Sequence, residues 1–198
     1  MALVPALVAI RDQPPGRVLV YGLVLGTLAN LGGYYWIAHM LTEFGGLPWP
    51  VAWLGLFLLC VYQGGVFALL LWAVRRGEDR LGLAPLWTLT VAYPAVEFLY
   101  PLLFPYSIGA SQYRFSAITQ IVEVTGLLGL TALIGLVNGA VYELVDASLG
   151  RRRPAAWRLA VPAALFALAL AYGLVRIPRS TARPPPQPGS RLPWCRPT

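Results

Sequence analysis

The chain has 198 residues, 58% of them hydrophobic and only 12% charged, with 15 basic residues against 8 acidic ones. Soluble domains carry about 25% charge, so a soluble globular fold is excluded, and disorder over most of the length is excluded with it. A polytopic membrane protein remains, with room for roughly five or six spans of about 20 residues.

Met1–Ile10 is apolar but only ten residues long, about 15 Å of helix and half a bilayer core. With no basic residue before it and no small-residue cleavage site it is a poor signal peptide; it reads as the end of a span whose beginning is missing. Arg11–Arg17 (RDQPPGR) is a loop, and Val18–Met40 is span A. Phe44–Pro50 is a turn broken by Gly and Pro. Val51–Val74 is span B, closed by Arg75, Arg76, Glu78, Asp79 and Arg80. Leu83–Leu103 is span C, Phe104–Arg114 a polar, aromatic connection, and Phe115–Val145 span D, longer than one crossing requires. Arg151–Pro154 ends it, and Ala155–Val175 is span E. The expected fold class is all-α: a polytopic transmembrane helix bundle of about five full spans plus an N-terminal stub. It occupies residues 1–176 and leaves 177–198 as a disordered Pro- and Arg-rich tail.

All 15 basic residues are arginines. Loop by loop they number two, none, three, one and four. High and low counts alternate, as the positive-inside rule requires. RDQPPGR, RRGEDR and RRRP are therefore expected in the cytoplasm and the other two connections outside. By parity the tail is periplasmic despite five arginines of its own, which is tolerated where that position carries a large exported domain. Short arginine clusters between apolar runs are topology determinants, so no nucleic-acid partner is expected. Aromatic residues, among them Tyr34, Tyr35, Trp36, Trp49, Trp53, Tyr100, Phe104, Tyr106, Tyr113 and Phe115, gather at the outward ends. Interface anchoring explains such a belt; its asymmetry also suits an outward-facing binding surface.

Glu97 in span C and Glu123 in span D are acidic residues inside apolar runs, each costing about 2.5–3.5 kcal/mol on insertion scales. With Gln112 and Gln120 near the same level, they form a candidate polar notch facing lipid. The structural alternative is that each carboxylate snorkels to the interface or bonds a neighbouring helix. Gly22/Gly26 and Gly135/Gly139 are GxxxG pairs that permit close helix approach, and Asn138 could hydrogen-bond across helices. One histidine, His39, and two cysteines, Cys60 and Cys195, assemble no metal cluster. There is no nucleophile elbow, P-loop or zincin helix, and Cys195 lies in a tail with no base to activate it. No catalytic residue, metal or cofactor is expected within the chain.

Several segments, in order, resemble the membrane domain of bacterial apolipoprotein N-acyltransferase. These are Ala2–Ile10 (ALVPALVAI), the Gly-Gly-Tyr-Tyr-Trp-Ile that begins at Gly32, Phe44–Pro50, and Tyr62-Gln63-Gly64. The most specific piece runs from Glu97 to Glu143. It holds Phe104-Pro105-Tyr106, Ser111-Gln112, Gln120, Gly126-Leu127-Leu128-Gly129-Leu130 and Val137-Asn138. Tyr172–Ile177 (YGLVRI) is similar to the stretch that precedes the family's catalytic domain. The resemblance implies acyl transfer from a phospholipid to the N-terminal amine of a diacylated lipoprotein, at the outer face of the bacterial inner membrane. It also implies that the chemistry belongs to a nitrilase-like domain with a Glu–Lys–Cys triad, none of whose residues can be carried over to this sequence. The expectation is a truncated or frameshifted membrane half without its own catalytic site. The alternative is a non-catalytic module that binds lipid or a separate nitrilase-like subunit. A transporter would call for an internal repeat and midplane charges, and neither is visible.

Overall fold

The computed structural model describes residues 3–104, 106–151 and 155–181, so the expected tail from 182 onward, Cys195 included, lies outside the described residues. The chain forms α1 (Leu3–Ile10), α2 (Pro15–Tyr34), α3 (Trp36–Glu43), α4 (Trp49–Leu81), α5 (Pro85–Leu99), α6 (Ser116–Thr119), α7 (Val122–Ser148) and α8 (Ala156–Thr181). A 3-10 turn covers Ile108–Gln112, and there is no strand among the described residues. Proline opens three of the helices, with Pro15, Pro50 and Pro85 in the first turns of α2, α4 and α5, where its missing N–H costs nothing. Gly82 closes α4 in the left-handed conformation, its N–H bonding the Glu78 carbonyl.

The all-α membrane class holds, but the span count is lower than expected. Among the described residues three helices, α4, α7 and α8, are long and apolar enough to cross a membrane; α2 and α3 make a fourth if taken together, bent by 55° at the break between them. The Gly32-Gly33 pair just before this break weakens the helix there. The expected span C, Leu83–Leu103, is corrected to a 15-residue helix, about 22 Å long and short of a ~30 Å core. It stops because Tyr100, ahead of Pro101, is extended. The expected span D is likewise divided, into α6 and an α7 interrupted at Gly126, whose φ is +70°. At the other end, α8 remains helical to Thr181, into the segment expected as tail.

α2 lies on α4, α5 on α7, and α4 on α5, while α1 is tucked against α7, α2 and α4. Both GxxxG pairs sit at close helix–helix approaches. A Cβ on Gly26 would stand 2.7 Å from the Gly64 backbone, and one on Gly139 2.6 Å from the Leu86 Cα. Without a solvent-driven force between helices, this van der Waals contact is what holds them together. Leu7 and Ile10 of α1, Val18 of α2 and Leu71 of α4 fill the main core with Tyr142 of α7. Asn138 does not reach across helices with its amide nitrogen, which instead donates 2.8 Å to Ile134 O in its own helix. α8 is less embedded than α4 or α7, with 17% of its apolar stretch buried against 44% and 33%.

The first two basic segments and Arg158, beyond the third, meet at one end of the bundle. Arg11 pairs with Asp146 of α7, Arg75 with Asp79 at 3.1 Å, and Arg158 of α8 with Glu143 of α7 at 3.6 Å. Arg75 also donates through Nε to Gln13 O at 3.0 Å. Arg11→Ala is expected to lower stability by about 1–2 kcal/mol, because it strands the Asp146 carboxylate, whose side chain is only 11% exposed. A double-mutant cycle with Asp146→Asn, read by thermal unfolding in detergent, checks this; strictly additive substitutions would mean the pair contributes nothing.

Candidate functional site

Between α5 and the 3-10 turn the described residues are not helical and are half-buried or exposed, yet they pack on α4 at membrane depth. Gln63, which bonds this segment, sits 12 residues before Arg75 on α4, about 18 Å along the axis and past the middle of a ~30 Å core. Non-helical backbone at such depth is tolerated only when protein groups satisfy it. Here they do. Tyr62 donates its hydroxyl to Pro101 O at 2.6 Å, and Tyr100 returns the favour to Tyr62 O at 2.6 Å. Gln63 donates to Phe104 O at 3.3 Å and to the Tyr34 hydroxyl at 3.5 Å.

Glu97 completes the set. One carboxylate oxygen accepts from Ile108 N–H at 2.7 Å and the other from the Thr131 hydroxyl of α7 at 2.7 Å. Ser107 stands 3.1 Å from that same hydroxyl and caps the 3-10 turn by accepting from Gly109 N–H. Gly109 can lie there because a Cβ would press on Leu127 O at 3.0 Å. Tyr34 packs on Phe104 and, edge-on, on Tyr106. The Tyr106 hydroxyl takes a side-chain hydrogen bond with Asn30 of α2.

The four polar residues singled out in the sequence fall into separate places. Glu97 is inside this cluster. Gln112 is half-buried at the end of the 3-10 turn, donating 3.0 Å to Ser111 Oγ. Gln120 is half-buried after α6, its carbonyl accepting from Glu123 N–H. Glu123 meets Arg176 of α8 at 2.8 Å. The two carboxylates thus take different partners. Tyr62, Gln63, Tyr106 and Thr131 were not singled out as site residues, although a polar side chain inside an apolar run is the same signal that marks Glu97. Gln63 is fully buried and its Oε1 has no hydrogen-bond partner. Cys60 is a buried free thiol packed with Ile37, Ala38 and Leu56. Chemically, the arrangement fixes the Tyr100–Gln112 segment in place, and the Glu97 oxygens are both occupied in doing so.

Residues 1–140 match the family model described as the apolipoprotein N-acyltransferase N-terminal domain. The chain is 33% identical over 184 residues to an apolipoprotein N-acyltransferase of Geobacter metallireducens, covering 89% of this chain and 35% of that protein. It is 26% identical over 127 residues to one of Bdellovibrio bacteriovorus, covering 59% and 22%. It is 24% identical over 127 residues to apolipoprotein N-acyltransferase 2 of Leptospira interrogans, covering 64% and 21%. The chain therefore spans about a third or less of the length of these relatives. No solved structure matches it.

Proposed function

The chain belongs to the apolipoprotein N-acyltransferase family through that family's N-terminal domain, and on this premise we propose that it is the membrane-embedded part of a phospholipid-to-lipoprotein N-acyl transfer system. The helices hold a phospholipid acyl donor and a diacylated lipoprotein at the outer face of the bacterial inner membrane. The basic end lies in the cytoplasm and the end of α8 leads to the periplasm. Bond-making belongs to a nitrilase-like domain or subunit that these helices present, and not to the side chains described above. One observation carries this reading: the Tyr100–Gln112 segment is pinned into the bundle by Glu97, Tyr62 and Gln63. A fixed, aromatic, non-helical stretch at membrane depth is a preorganised wall for a lipid, because its shape is set before the ligand arrives. Gln112, at the end of this wall, and Gln120 and Glu123, farther along the chain, form the polar rim that meets the head group.

The test uses the purified chain in phospholipid nanodiscs with a diacylated lipopeptide and a photoactivatable phospholipid. The expected result is no acylated lipopeptide and no covalent acyl adduct on the chain, with lipid crosslinks concentrated in residues 100–121. Acylated product from the chain alone would overturn the division of labour. Crosslinks confined to other helices would overturn the assigned lipid face.

A further inference from the structure

At the basic end the helix termini enclose a cavity of about 470 Å³, within the roughly 300–1,000 Å³ typical of small-molecule sites. It lies between the end of α4, the start of α5, the end of α7 and Arg158 of α8, and shares no lining residue with the Glu97 cluster. Its wall carries five carboxylates and three guanidiniums, so it favours a ligand with a cationic end. Among the described residues no three acidic, His or Cys side chains could hold a metal ion, so the carboxylates do not converge on one point.

The ion pairs in this wall are not equivalent. Arg11–Asp146 and Arg75–Asp79 are closed at hydrogen-bonding distance. Arg158–Glu143 stands at 3.6 Å and makes no hydrogen bond. Glu143 is only 7% exposed, and both its oxygens lack a hydrogen-bond partner; the buried Arg158 Nε–H lacks one as well. Buried polar groups ordinarily find partners, so this pair asks for a ligand with N–H donors at one end and an anionic oxygen close by. We propose that the cavity binds a phosphoethanolamine head group. The ammonium donates to the Glu143 carboxylate, and a phosphodiester oxygen accepts from Arg158 Nε–H. Two carbons separate those charges in the head group, which lets it span an opposed carboxylate and guanidinium. A choline group has no N–H to give Glu143, and a glycerol head group has no cation. The cavity opens among helix ends at the membrane edge, so the nearest source is a phospholipid of the leaflet on that side. A soluble phosphoethanolamine ester shares the chemistry. This site is separate from the acyl-transfer face and does not rest on that reading.

The full chain, purified in detergent, is titrated with phosphatidylethanolamine, phosphatidylcholine and phosphatidylglycerol of matched acyl chains, and bound lipid is counted by native mass spectrometry. Phosphatidylethanolamine is expected to bind about tenfold tighter than the other two, as one added charge-assisted hydrogen bond provides. Glu143→Gln should shrink that preference to about twofold or less, and Arg158→Gln should weaken all three lipids together, since all share the phosphodiester. Soluble glycerophosphoethanolamine is the second arm: competition at equal concentration identifies the free head group as sufficient, and its failure against retained lipid identifies the bilayer as the source. Equal binding of the three lipids to the wild-type chain overturns the proposal whether or not either variant folds. Full phosphatidylethanolamine preference in Glu143→Gln also overturns it. A null crosslinking result at residues 100–121 would leave this site untouched.

Discussion

Replacing Glu97 by alanine is expected to cost about 1–6 kcal/mol of stability and to release the segment between α5 and the 3-10 turn. The carboxylate is the acceptor for two donors, Ile108 N–H and the Thr131 hydroxyl, each at 2.7 Å. Removing it leaves both without that acceptor in a water-poor interior, at about 1–3 kcal/mol for each buried unsatisfied group. Thr131 is fully buried, and its hydroxyl can turn to Ser107 Oγ, 3.1 Å away, which places the lower bound. Glu97→Gln separates hydrogen bonding from charge. The amide oxygen still accepts from Ile108, and the amide nitrogen can donate to the Thr131 oxygen, so most of the stability should survive. Thermal unfolding with limited proteolysis around residues 100–112 reads both effects. Wild-type melting and wild-type cleavage in Glu97→Ala would remove Glu97 from its pinning role.

A second large effect is expected at Gly26→Leu. A Cβ at this position would lie 2.7 Å from both the Cα and the carbonyl oxygen of Gly64, and 2.9 Å from the Phe67 ring. Phe67 can swing away, but backbone cannot, so α2 and α4 must separate. The separation loses the dispersion contact along the whole pair, since a gap of even 1 Å forfeits much of it. The cost is about 3 kcal/mol, at the upper end of overpacking penalties. The yield of monodisperse protein in detergent and its melting temperature check this, with Gly16→Leu as the control, because a Cβ at Gly16 meets nothing within 4 Å. Equal loss in both variants would point to helix propensity and not to the α2–α4 contact.

Particular residues show what was readable beforehand. The arginine clusters foretold one shared basic end because charge placement relative to an apolar core is a property of local sequence, and Arg11, Arg75 and Arg158 do line one cavity. The GxxxG pairs were readable for the same reason. The short α5 was not: Leu83–Leu103 is apolar almost throughout, so hydropathy runs past the Tyr100–Pro101 break that ends the helix. Of the polar cluster, only Glu97 stood out. Amides and hydroxyls cost less to bury than charges, so Tyr62, Gln63 and Thr131 blended into their helices. Their role depends on an unwound segment far along the chain, as with Gln63 and Phe104, 41 residues apart. Glu123 carries the same local signal as Glu97, yet its ion-pair partner is Arg176, 53 residues on, a contact set by the docking of α8.

The pairing of Arg11 with Asp146 has a temporal side. The two residues are 135 positions apart, and at about 5–20 residues per second a ribosome needs roughly 7–27 s to travel from one codon to the other. During that interval Arg11 has no Asp146 to meet, while α2 and α4, separated in the chain only by the short α3, are already available to each other. The early loop is thus oriented by its uncompensated positive charge, and the carboxylate that later neutralises it arrives after orientation has been chosen. Closing α1 onto α7 is then a completion step in biogenesis, reached only once α7 has left the ribosome.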